Sequence, residues 1–104
     1  MSHDDNSILL ERFLTTLLYK SLEQFIASNV YPESEKEIVK KQRTRMLKKS
    51  LPVIKKSAKK AVIELKKNGI SSIGSITQNT EVVENLMNAV QKDMESDAAK
   101  LSEN

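Results

Sequence analysis

The 104-residue chain has no cysteine and no tryptophan, one histidine, two glycines and two prolines, and its four aromatic residues all precede Glu33. Without cysteine there is no disulfide scaffold, no thiolate metal site and no thiol nucleophile. The lone His3 lies beside Asp4 and Asp5 in a polar N-terminus, which gives a zinc site or a Ser/His triad almost nothing to build on. No cofactor and no metal is implied, and the chain reads as a binding protein, not an enzyme. No apolar run approaches the roughly 20 residues that a bilayer crossing needs. The first residues carry acids where a secretory signal would carry Lys or Arg. The expectation is a soluble, cytoplasmic protein with no membrane partner and no small-molecule substrate. So few Gly and Pro also predict helices, because these residues are the main punctuation of regular structure.

What the chain does contain is charge, unevenly placed. Residues 1–35 hold two cations against six acids, a balance of −4; residues 36–67 hold thirteen cations against two acids, +11; residues 68–104 hold two against six, again −4. A net charge of +3 conceals this division. A block of such density either meets a polyanion or is held by its acidic flanks.

Hydrophobic periodicity assigns the elements. A first helix is expected to open after Ser7 as N-cap and to run to about Ser28. Its apolar residues, among them Leu10, Phe13, Leu14, Leu17, Leu18, Leu22 and Ile26, fill an arc of roughly 240°, where a surface helix needs a stripe of about 100°. Such a helix requires neighbours on several sides. That width predicts a homodimer in which first helices pack across the symmetry axis, the alternative being the central helix of a monomeric bundle. Pro32 marks a loop, and Ser34 followed by Glu37 forms the pattern of a capping box that opens a second helix. That helix should end at Gly69, with cations Lys66 and Lys67 in its last turn, Gly at C′ and apolar Ile70 at C″. Its length would be about 50 Å.

Pro52 lies in the middle of this segment. The apolar residues Leu47, Leu51, Ile54, Ala58, Ala61 and Leu65 nevertheless recur at alternating intervals of four and three through the proline, which predicts one bent helix. On the same wheel Lys41, Arg45, Lys48, Lys49, Lys55, Lys56, Lys59, Lys60, Lys66 and Lys67 cluster within roughly 140°, opposite the apolar stripe. Beyond Gly69, residues 71–79 allow a short helix, and Thr80 caps a last helix with the stripe Val83, Leu86, Met87, Val90, Met94, Ala98 and Leu101. The fold class expected is all-α: an antiparallel helical hairpin with a long basic second helix, dimerising into a four-helix bundle, plus a C-terminal helix. Residues 1–7 are expected to be a disordered N-terminus, 8–95 a single helical domain and 96–104 a frayed polar tail.

The ten cations named above are the candidate nucleic-acid-binding residues. A basic helical face of this length suits phosphates, whose neutralisation releases condensed counterions. Nearly all of these cations are Lys, a mobile point charge, whereas reading base edges relies on bidentate Arg, Asn and Gln. No aromatic residue follows Pro32 to stack on unpaired bases. A duplex gripped by its backbone fits best.

In layout the chain resembles the small nodavirus proteins that bind double-stranded RNA and suppress RNA silencing. The resemblance covers about residues 7–79. It rests on the apolar first helix, the Tyr-containing loop Asn29-Val30-Tyr31-Pro32, the long basic second helix, the segment Ser71-Ser72-Ile73-Gly74-Ser75-Ile76 and a polar tail. It implies an antiparallel dimer whose second helices lie along one face of an A-form duplex, meeting phosphates and ribose 2′-hydroxyls without reading sequence, in the cytoplasm of a host cell. Pro52 departs from the pattern, since the family keeps that helix continuous. Other readings are a helical interaction module or regulatory subunit for an acidic protein partner, and a non-specific DNA-binding protein. A helix-turn-helix over residues 72–90 would carry Glu81 and Glu84 to the groove, the wrong charge for DNA.

Overall fold

A computed structural model describes residues 4–29 and 33–102, which form five helices and no strand: α1 Asp4–Asn29, α2 Glu37–Lys49, α3 Leu51–Lys67, α4 Ile73–Gln78 and α5 Thr80–Ser102. The all-α class is as expected. Val30, Tyr31 and Pro32, part of the loop read from the sequence, lie outside the described residues.

Three of these boundaries differ from the sequence reading. α1 begins at Asp4, so Ser7 sits inside the helix instead of capping it. α5 is helical to Ser102, through the stretch expected to fray. α2 begins at Glu37 behind an extended Lys36, and no side chain caps it. The capping box fails because the Ser34 hydroxyl accepts instead from the Lys36 amide, 3.3 Å away, a local turn that competes with helix initiation.

The chain runs up along α1, returns along α2 and α3, and rises again in α5. The last turn of α1 (Phe25, Ile26, Asn29) therefore lies beside both α2 and the end of α5 (Ala98, Leu101). α3 is the middle member and packs on α1 and on α5. Its buried residues Ile54, Ala58, Ala61 and Leu65 alternate in steps of four and three, and the two alanines let its neighbours come close. One continuous core results, in which Leu10, Leu14, Leu18 and Leu22 of α1 are fully covered. Each such side chain contributes about 1.5–3 kcal/mol by leaving water.

The wide apolar arc of α1 is taken up largely within the chain, since α2, α3, α4 and α5 all pack against it. Phe13, Tyr19 and Phe25 are half-buried against the core, while Leu9 and Leu17 are left 53% and 42% exposed.

The end of α3 matches expectation in detail. Gly69 adopts φ +78°, its amide donates to the Lys66 carbonyl at 3.0 Å, and the Ile70 amide donates to the Leu65 carbonyl at 2.9 Å. Ile70 and Leu65 are both buried, which completes a Schellman motif with its apolar contact. α4 follows, with Ser72 as N-cap accepting from the Ser75 amide at 3.2 Å.

Candidate nucleic-acid interface

The single bent helix expected across Pro52 is two helices, α2 and α3, with Ser50 between them. Proline has no amide hydrogen, so the carbonyl four residues before it, that of Lys48, loses its helical donor. The chain absorbs this at Ser50 without leaving the helical region: φ is −86° and ψ −3°. The Ser50 amide bonds back to the carbonyls of Met46 and Leu47, each at 3.1 Å, and its hydroxyl donates to the Met46 carbonyl at 2.8 Å. Its own carbonyl accepts from the Ile54 amide at 2.9 Å. Pro52 then falls in the first turn of α3, where a missing donor does least harm.

The burial register survives this interruption. Leu47, Ser50 and Ile54 are buried in succession, so the interior side of α2 leads directly into that of α3. Ser50, only 2% exposed, takes the interior place expected for Leu51, which lies at the edge. Because the inward side is fixed in this way, the outward side is fixed too. All ten predicted cations are exposed: Lys41, Arg45, Lys48 and Lys49 on α2, and Lys55, Lys56, Lys59, Lys60, Lys66 and Lys67 on α3. The break divides them into two facets separated by residues 50–54, which carry no cation.

Two of the ten are engaged. Lys60 Nζ lies 3.3 Å from Asp93 Oδ2 of α5, and Lys67 Nζ lies 3.4 Å from Glu64 Oε1 on its own helix. Both pairs are solvent-exposed, a setting in which ion pairs contribute about 0–1 kcal/mol. The other eight have no ion-pair partner among the described residues. The like-charge neighbours Lys41/Arg45, Arg45/Lys49 and Lys55/Lys59 therefore repel at i, i+4 spacing, at about 0.2–0.5 kcal/mol per pair, while Asp93 offsets part of the repulsion in Lys56/Lys60.

Two residues interrupt the face, Pro52 and Ile63, the latter 56% exposed among lysines. The described aromatic side chains, Phe13, Tyr19 and Phe25, belong to α1, so α2 and α3 offer no stacking platform. No group of acidic or histidine side chains suited to a metal ion occurs among the described residues. No described helix is long and apolar enough to cross a membrane.

Asp93 belongs to the acidic flank, with Glu81, Glu84, Glu95 and Asp97, that the sequence sets against this face, but the sequence does not say which of these carboxylates meets a lysine. A helical wheel of α5 alone gives no hint of it, because the pairing depends on how α5 is placed along α3. Arg43, a cation of α2 outside the predicted set, is turned toward the first half of the chain: its Nη2 donates to the Ser34 carbonyl at 3.4 Å. Its wheel position, on the Leu47 side and away from Lys41 and Arg45, is the signal for that difference.

No protein-family model, curated protein or solved structure matches this chain.

Proposed function

We propose that this protein binds nucleic-acid duplexes, double-stranded RNA above all, by gripping the phosphate backbone without reading sequence, and so shields the duplex from processing enzymes as a suppressor of RNA silencing. One observation carries this reading: eight exposed cations that have no carboxylate partner among the described residues lie on the outward side of α2 and α3. Between Lys41 and Lys67 these cations fall into two facets, one on α2 and one on α3, that would each follow the backbone of the duplex. Phosphates would relieve the repulsion along the face, and counterion release would supply the affinity. The preference for RNA over DNA rests on the nodavirus-like layout alone.

The same reading includes pairing of two copies through α1, whose Ile8, Leu9 and Leu17 the chain leaves exposed. Light scattering at micromolar concentration tests it, and a mass equal to one chain would remove it.

Gel shifts with an RNA duplex, a DNA duplex and a single strand at two salt concentrations test the function. The expected result is tightest binding to duplex RNA, weakening steeply with salt. Equal or absent binding to all three would sink the reading.

Ile63 favours a second reading, a helical interaction module for an acidic protein partner, since an exposed apolar side chain ringed by lysines suits a protein surface better than a phosphate backbone. A protein recovered by pull-down after nuclease treatment, with no retained nucleic acid, would favour it.

A further inference from the structure

Where the last turn of α1, the end of α2 and the end of α5 converge, the bundle leaves a cleft of about 540 Å³. Its apolar wall is made by Phe25 and Ile26 of α1, Met46 of α2, and Ala98 and Leu101 of α5. The space exists because small residues stand where the helices meet: Ser50 at the junction of α2 and α3, and Ala98 and Ala99 on α5. Phe25 and Met46 are only half-buried and Leu101 is 38% exposed, so apolar surface faces the opening.

The polar lining is of one sign. Arg45 and Lys49, one turn apart on α2, border the cleft, and no described lining residue is acidic. Neither cation has an ion-pair partner among the described residues. Gln42 adds an uncharged amide, while the Asn29 amide is already donated to the Phe25 carbonyl at 2.7 Å. A concavity of this size between bundle helices, apolar with a few convergent polar groups, has the anatomy of a small-ligand site. An apolar occupant alone would leave the two cations unanswered, and an inorganic anion alone would leave the apolar wall wet.

We infer that the cleft binds a single-chain carboxylate amphiphile, a free fatty acid, with its alkyl chain along Phe25, Met46 and Leu101 and its carboxylate between Arg45 and Lys49. No sequence motif announces such a site; it arises from the way three helix ends meet. Binding of the carboxylate does not depend on the nucleic-acid reading. Because Arg45 and Lys49 also belong to the proposed duplex face, an occupied cleft would in addition weaken duplex binding.

Calorimetric titration of the full chain with decanoate below its micelle concentration, and with decanol as the uncharged counterpart, tests the inference. One saturable site per chain is expected, with decanol bound about tenfold more weakly or worse, the scale of one charge-assisted hydrogen bond. Arg45→Gln with Lys49→Gln should bring decanoate down to the decanol level. Ala99→Trp, at an exposed lining position, should fill the cleft and abolish binding of both, with the helical circular dichroism signal unchanged. Absence of saturation, equal affinity for the acid and the alcohol, or undiminished binding to a folded Ala99→Trp variant would each overturn it. A loss of decanoate binding in the glutamine variant with duplex affinity intact would leave the cleft standing and tell against the duplex face.

Discussion

Lys60 of α3 and Asp93 of α5 meet at 3.3 Å in the open, an acidic helix touching the basic face at an edge. The pair is worth little to the fold, because both partners stay solvated and salt screens them. Its effect on a polyanion is larger than its effect on stability, since a carboxylate beside a binding cation both occupies that cation and repels phosphate. Asp93→Lys should therefore tighten duplex binding severalfold at low salt while changing unfolding free energy by no more than about 0.5 kcal/mol. Fluorescence anisotropy and urea titration read the two effects separately.

Charge reversal midway along α3 gives the opposite outcome. Lys56→Glu with Lys60→Glu should cost tenfold or more in duplex affinity, and the slope of log K against log salt should fall by about 0.7–0.9 for each phosphate that is no longer neutralised. Helix content should not change, as both side chains are exposed. Unaltered affinity and slope would place the binding surface elsewhere.

Gly69 was legible from its neighbours alone: two lysines, an asparagine, a glycine and an isoleucine spell a helix end whose every hydrogen bond is local. Its replacement is correspondingly simple to forecast. An added Cβ meets nothing within 4 Å, so the penalty of Gly69→Ala comes only from holding an L-residue at φ +78°. Destabilisation of about 1 kcal/mol is expected, and Gly69→Asn should recover part of it. Equilibrium unfolding in urea decides this.

The lysine face was legible for a related reason. Once Ile54, Ala58, Ala61 and Leu65 fix which side of α3 is inward, each lysine's direction follows from helical geometry. What could not be read depended on competition between partners of similar strength. Ser34 had a backbone amide two residues away that satisfied its hydroxyl as well as a helix cap would. Ser50 had the Met46 carbonyl within reach, and so could enter the interior in place of Leu51. The meeting of Lys60 with Asp93 and the convergence of three helix ends around Met46 are consequences of tertiary placement, to which no local pattern corresponds.

Pro52 supplies a further forecast. In a helix interior proline costs about 3 kcal/mol relative to alanine. Here it stands in the first turn of α3, and the preceding Ser50 is already compensated by bonds to Met46 and Leu47. Pro52→Ala should thus stabilise by less than about 1 kcal/mol, with a small rise in helical ellipticity as α2 and α3 fuse. A gain near the full interior value would mean that the junction stores strain.

The order of the helices along the chain also has a consequence for synthesis. α3 gains its second flank only when α5 arrives, and from Lys67 to Met94 translation takes roughly one to five seconds at 5–20 residues per second. Until then the side of α3 that α5 covers has no partner within the chain, and the carboxylate that answers Lys60 has yet to be made. A strip of α3 thus waits for the helix that the chain completes last.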